Sequence, residues 1–216
     1  MYEFVSKKEY APIRKEIESI IKNVQHILRN EDKDLTFQFS LVGSGKRHLI
    51  TRIKNGNSGY DFDYNLALNQ KFSWRPFVRE SFFKAFQQAI KGTRFNAIEN
   101  STSVITIKQV SQKEKTVLVG CDFSIIVSEF DNNEKYYKYS RLNKNLQNYT
   151  WEIRNCSRQN ESKINFLLNN YLNAWNFIKN EYLKLKENDR QKKHSFILFY
   201  EAVNNVYNFM LEDKEE

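Results

Sequence analysis

Two aspartates, Asp61 and Asp63, are separated by one residue in a mostly apolar and aromatic stretch, YDFDYNLAL. Side chains of a β-strand alternate between its faces, so both carboxylates are expected on one face and Phe62 on the other. Aspartate is disfavoured in strands, and two neighbouring negative charges repel each other, so we expect a cation between them. Mg²⁺, or Mn²⁺ in its place, suits this position because it prefers carboxylate oxygens and shares its coordination shell with substrate phosphates.

A third aspartate, Asp122, lies in a second strand-like stretch, TVLVGCDFSIIV. An unpaired charge between apolar neighbours would be costly, so this carboxylate also needs a partner. Three acids on adjacent strands could hold two metal ions for an in-line attack on a phosphate. Taken alone, each acidic position is more simply explained by an open sheet surface that faces water. The glycine motif that precedes them favours the catalytic interpretation.

The glycine motif is Gly43-Ser44, which follows an apolar strand and precedes a segment that could open a helix. Backbone N–H groups at such a turn form an anion site, and the Ser44 hydroxyl could donate to a phosphate oxygen. Lys46 and Arg47 add positive charge nearby. The GSGK letters suggest a P-loop, but Ser40 lies where that pattern needs its first glycine and Arg47 where it needs Ser or Thr.

Together these motifs resemble the signature of the DNA polymerase beta-like nucleotidyltransferase superfamily. The residues that carry the resemblance are Val42-Gly43-Ser44, then Asp61-Phe62-Asp63, and finally Asp122 on a later strand. The resemblance covers about residues 35–127, and an Asn/Gly-rich loop at 55–59 accommodates a long spacing between the glycine motif and the acidic pair.

The resemblance implies a metal-dependent nucleotidyltransferase. Gly43 and Ser44, with Lys46 beside them, would bind the triphosphate of an NTP, with ATP as the first expectation. Asp61 and Asp63 would bind both divalent ions, Mg²⁺ or Mn²⁺. Asp122 would bind one of them and help an acceptor hydroxyl to attack the α-phosphorus, with pyrophosphate leaving.

The identity of the acceptor stays open between a small molecule, RNA, a protein and a second nucleotide. Superfamily members that make oligoadenylates or cyclic nucleotides share the Gly-Ser and three-acid arrangement, so this chain resembles them too. The alternative function is a catalytically inactive protein on the same fold that binds a nucleotide or RNA.

The hydrophobic pattern predicts the elements that position these residues. Apolar side chains recur at helical spacing in four segments, whereas alternating or β-branched runs indicate strands in four others. We therefore predict a mixed α/β (α+β) fold, with a catalytic core over residues 1–130 and a helical region over 131–216. The predicted helices are 7–30, 75–91, 161–187 and 194–212, the predicted strands are 34–42, 60–68, 103–107 and 116–127, and residues 131–160 are expected to be irregular.

Composition limits the class of protein. Aromatic residues make up 15% of the chain, which excludes a disordered protein. The net charge of +8 favours polyanionic partners, although an AT-rich genome would explain the many lysines equally well. Cys121 and Cys156 form no disulfide framework, and there is no signal-peptide pattern and no apolar run long enough to span a bilayer. We therefore expect a cytoplasmic protein without a membrane partner.

Overall fold

The computed structural model describes residues 1–56, 59–69, 78–130, 137–144, 149–155 and 159–212. The chain divides into two compact units. The larger unit is Phe4–Asn155, and the smaller unit combines Met1–Glu3 with Cys156–Glu216. The domain boundary predicted at residue 130 falls inside the larger unit, because two further strands follow it there.

The fold is mixed α/β, as predicted. The helices are α1 (Lys7–Glu31), α2 (Gly43–Lys46), α3 (Val78–Ala89), α4 (Gln159–Asn170), α5 (Ala174–Asn188) and α6 (Ser195–Glu212). The strands are β1 (Tyr2–Phe4), β2 (Phe37–Val42), β3 (Thr51–Ile53), β4 (Tyr60–Leu68), β5 (Ala97–Asn100), β6 (Ile105–Ser111), β7 (Thr116–Phe130), β8 (Tyr137–Lys144) and β9 (Tyr149–Asn155).

One mixed sheet organises the larger unit. Its strand order is β2-β4-β7-β6-β5, with β8 paired to β7 and β9 paired to β8. The β4–β7 pair is parallel, and its neighbours β2–β4 and β6–β7 are antiparallel. The parallel pair lies at the centre of the main strand order, where both strands are hydrogen-bonded on each side.

The core lies on the face of the sheet that α1 and α3 cover. Strand β4 alternates as the sequence predicts, with its aromatic and leucine side chains buried and its polar side chains on the opposite face. From α1, Tyr10 packs edge-on against Phe62, and from α3, Phe86 stacks on Phe123 with ring centroids 4.3 Å apart. Each large apolar side chain buried in this way contributes about 1.5–3 kcal/mol. The opposite face of β4 is therefore left for polar groups.

A buried arginine holds the connection between β5 and β6. Arg79 lies in the first turn of α3 and is only 1% exposed. Its guanidinium donates to the side-chain oxygen of Asn100 and to the backbone carbonyls of Ser101, Thr102 and Val104, at 2.5–3.3 Å. These bonds join α3 to the residues between β5 and β6, so Arg79 holds the start of β6 in place.

Two predictions about the second half of the chain are wrong. Residues 137–144 and 149–155 are paired strands, not irregular structure, because backbone pairing to β7 stabilises a stretch whose side chains are mostly polar. The single helix predicted over 161–187 is divided into α4 and α5. Asn173 adopts a left-handed backbone between them, with φ at 65°, a conformation that asparagine tolerates better than most residues.

The smaller unit consists mainly of α4, α5 and α6. Tyr182 from α5 packs edge-on against Phe199 from α6, and the Tyr171 hydroxyl donates to the Met210 carbonyl at 2.6 Å. Across the helices that the structure describes, none has the length and apolar character needed to cross a membrane.

Candidate functional site

The three predicted aspartates lie on one face of two adjacent strands. In the parallel β4–β7 register, Asp63 is directly opposite Asp122, and Asp61 is opposite Gly120. Partners in a parallel pair point to the same side, and this is the side away from α1, α3 and the core. Asp61 is exposed, whereas Asp63 and Asp122 are half-buried. Residues 59 positions apart in the chain are thus neighbours on the sheet.

The glycine turn lies next to this pair. Val42, the last residue of β2, is opposite Asp63, so α2 begins directly beside that carboxylate. Gly43 has φ at +62°, and a Cβ at this position would lie 2.6 Å from Asp63 Oδ2. Only glycine therefore combines this backbone conformation with so close a carboxylate. The structure brings Gly43 and Asp63 together as the resemblance implies.

The other residues of the turn are held by local hydrogen bonds. Ser44 is half-buried and its carbonyl accepts the N–H of Leu49 at 2.9 Å. Arg47 donates to the Gly43 carbonyl at 3.4 Å, so this guanidinium supports the turn. Lys46 is the last residue of α2 and its side chain is exposed. Ser44 thus lies within a fixed backbone, whereas Lys46 reaches into solvent.

Two residues that the sequence interpretation missed contact the aspartates. Thr106 on β6 is opposite Asp122, and its hydroxyl donates to Asp122 Oδ1 at 2.6 Å. Gly120 on β7 leaves the space that the Asp61 carboxylate occupies, since a Cβ there would lie 2.2 Å from Asp61 Oδ1. Alternation within β6 indicated which face Thr106 occupies, but only the strand pairing shows that it is next to Asp122.

The negative charge of the site affects the core behind it. Burial raises the pKa of the Cys121 thiol well above its usual value. The carboxylates of Asp63, Asp122 and Asp61 each raise this pKa further, because a thiolate would be repelled by them. Cys121 is completely buried and therefore acts as a small apolar core residue and not as a nucleophile.

The residues present suit a divalent cation in their chemistry. Carboxylate oxygens are hard donors, and Asp63 and Asp122 lie on directly paired positions. Within the described ranges, however, no three His, Cys, Asp or Glu side chains form a group that could hold a metal ion as they stand. Mg²⁺ usually keeps several waters and binds through one or two carboxylates together with substrate phosphates. The donor set therefore fits an ion that arrives with a nucleotide better than a permanent protein-bound ion.

Comparison with known proteins gives a relationship only at the level of structure. No known protein-family model matches the chain, and no curated protein matches its sequence. Solved structures do match. The Vibrio cholerae protein DncV in its GTP-bound form has a TM-score of 0.53 at 13% identity, over 94% of this chain and 52% of that chain.

Two further structures of DncV give the same result. The complex with the linear intermediate 5′-pppA(3′,5′)pG has a TM-score of 0.52 at 13% identity, over 94% of this chain and 54% of that chain. The dinucleotide cyclase in complex with GTP has a TM-score of 0.54 at 11% identity, over 94% and 55%. This chain spans about half the length of the DncV structures that it matches. The solved structures therefore confirm the predicted fold, a nucleotidyltransferase-type mixed sheet flanked by helices.

Proposed function

We propose that this protein is a nucleotidyltransferase that transfers a nucleoside monophosphate from an NTP to an acceptor hydroxyl and releases pyrophosphate. One observation carries the proposal. Asp63 and Asp122 are directly opposite each other on parallel strands, with Asp61 on the same face and the Gly43 turn beside them. Carboxylates at paired positions repel one another, and a divalent cation that arrives with the phosphates of a nucleotide would relieve this repulsion.

Each residue has a definite role in this proposal. The backbone at Gly43 and the Ser44 hydroxyl bind the triphosphate, and the exposed Lys46 adds positive charge. Asp61, Asp63 and Asp122 hold Mg²⁺ or Mn²⁺, which when bound neutralises charge on the phosphates and polarises the α-phosphate. Asp122, held by Thr106, accepts the proton of the acceptor hydroxyl or orients it. The protein thus contributes positioning and a fixed arrangement of charge.

The acceptor that we favour is a second nucleotide, with ATP or GTP as donor. DncV, which shares the fold, is a cyclic AMP-GMP synthase that has been seen with GTP and with a linear dinucleotide intermediate. RNA, a protein or a small molecule as acceptor would give different products in the same assay. A cytoplasmic location, where NTPs are available, belongs to this proposal.

A second candidate function is nucleotide or RNA binding without turnover. It is favoured by the net charge of +8, which attracts polyanions whether or not the protein turns them over. In this case the protein would bind an NTP with Mg²⁺ and release it unchanged.

Turnover separates these functions. The purified protein is incubated with each NTP and with pairs of NTPs in the presence of Mg²⁺ or Mn²⁺, while pyrophosphate release and product mass are followed. Asp63→Asn and Asp122→Asn should each lower turnover by at least about 100-fold. Asp34→Asn is the matched control, because this exposed aspartate precedes β2 at the end of the strand away from the site. Unchanged turnover in both site variants would refute the assignment, and nucleotide binding without product would favour the second candidate.

A further inference from the structure

Strand β6 holds the carboxylate of Asp122 from the side opposite β4. The Thr106 hydroxyl donates to Asp122 Oδ1 at 2.6 Å, and Thr106 is only 8% exposed. A short hydrogen bond from a buried hydroxyl to a carboxylate is charge-assisted and restricts the rotation of that carboxylate. Because Oδ1 is held, the position of the second carboxylate oxygen, Oδ2, is fixed as well.

Strand β7 makes room for the carboxylate of Asp61. A Cβ at Gly120 would lie 2.2 Å from Asp61 Oδ1 and 3.3 Å from its Cγ. No side chain other than hydrogen fits there while Asp61 keeps this orientation. Asp61 is exposed, and its carboxylate is the end of a rotatable side chain. An alanine at position 120 would therefore move the carboxylate and leave the strand pairing in place.

We propose that Thr106 and Gly120 are positioning residues, which set the orientation of the Asp122 and Asp61 carboxylates for divalent-cation and nucleotide binding. This inference rests on the proposed function. Neither residue touches the substrate in this scheme: Thr106 acts through a hydrogen bond and Gly120 through the lack of a side chain. Removal of a side chain that holds a metal ligand typically weakens metal binding by about 10–100-fold.

Thr106 is tested with two substitutions: one removes its hydroxyl group and the other removes its methyl group. Mn²⁺ affinity is measured by electron paramagnetic resonance with a non-hydrolysable ATP analogue present. Thr106→Val keeps the shape but loses the hydroxyl, and should weaken Mn²⁺ binding by about 10-fold or more. Thr106→Ser keeps the hydroxyl and should bind within about threefold of wild type. Equal affinity in wild type and Thr106→Val overturns the role of Thr106, as does an equal loss in both variants.

Gly120 is tested with a double-mutant cycle. Gly120→Ala should weaken Mn²⁺ binding by about 10-fold in the wild-type background, and by no more than about twofold once Asp61→Ala has removed the carboxylate. The same loss in both backgrounds overturns the role of Gly120. Unfolding by urea is followed for every variant, so that a folding defect is recognised as a change in midpoint.

The failure of this inference can be told apart from the failure of the proposed function. If wild-type protein turns over NTPs but none of these variants changes Mn²⁺ affinity, only the positioning inference is refuted. If wild-type protein binds no Mn²⁺ in the presence of the ATP analogue, both are refuted. If it binds Mn²⁺ and the variants behave as predicted but no product forms, the positioning inference holds and the catalytic proposal fails.

Discussion

Replacement of Gly43 by alanine should damage the site without disrupting the fold. Gly43 has φ at +62°, a backbone conformation that costs an L-residue about 1–2 kcal/mol. The new Cβ would also lie 2.6 Å from Asp63 Oδ2, whereas a Cβ atom in a protein is essentially never closer than 3.0 Å to such a neighbour. Two responses are available to the protein: the turn changes its backbone conformation, or the Asp63 carboxylate moves.

Both responses weaken nucleotide binding. If the turn stays in place, the Asp63 carboxylate moves away from the position in which it would bind the cation. The free energy of unfolding then also falls by the backbone cost of about 1–2 kcal/mol, a factor of about 5–30 in the folding equilibrium constant. If the turn changes, that cost is avoided, but the Gly43 and Ser44 backbone N–H groups no longer face a phosphate. In either case we predict that the affinity for an NTP with Mg²⁺ falls by about 10-fold, equivalent to about 1.4 kcal/mol.

Gly45→Ala is the control for this substitution. Gly45 lies in the same short helix, but its Cβ would meet the Leu41 side chain at 3.0–3.3 Å and not a carboxylate. Isothermal titration calorimetry gives the affinity of each variant for the ATP analogue with Mg²⁺, and urea titration gives its stability. Wild-type affinity in Gly43→Ala would refute the argument, and so would an equal loss in Gly45→Ala.

Three further predictions concern buried side chains. Arg79→Met should lower the free energy of unfolding by about 2 kcal/mol or more in a urea titration, because it removes the hydrogen bonds from a charged guanidinium to the Ser101 and Val104 carbonyls. Burial raises the pKa of the Tyr60 hydroxyl from 10.0 to about 12. The unfolded chain therefore loses this proton at a lower pH than the folded protein, and the free energy of unfolding falls as pH rises from 10 towards 12. Tyr60→Phe should reduce that alkaline loss in urea titrations and change stability at pH 7 by less than about 1 kcal/mol, since the buried hydroxyl has no hydrogen-bond partner among the residues described. In a Cys156→Ser background, Cys121 should react with a thiol reagent at pH 8 only after unfolding, and rapid labelling of the folded protein would contradict its burial.

The aspartate strand was predictable because its pattern is local. Alternation of period two placed Asp61 and Asp63 on one face and Phe62 on the other, and the structure has the strand at Tyr60–Leu68 as predicted. Helix α1 was predictable for the same reason, since its apolar side chains repeat at helical spacing and Ser6 caps its N-terminus.

The pairing of strands was not predictable from the pattern. Nothing local to Asp122 indicates that it lies opposite Asp63, because this depends on a parallel register between segments far apart in the chain. The contributions of Thr106 and Gly120 follow from that register and were missed with it. Arg79 was missed for a different reason. A charged residue in an amphipathic helix is expected to face water, and the sequence does not show the hydrogen-bond acceptors between β5 and β6 that accompany its burial.

The central claim is that the three aspartates bind divalent cations together with a nucleotide, and crystallography with Mn²⁺ tests it most directly. Crystals grown with Mn²⁺ and a non-hydrolysable NTP are measured at a wavelength where manganese scatters anomalously. We predict anomalous peaks about 2.0–2.4 Å from carboxylate oxygens of Asp61, Asp63 and Asp122, with the triphosphate against the Gly43 turn. A nucleotide bound elsewhere, or Mn²⁺ peaks that touch none of these carboxylates, would contradict the account.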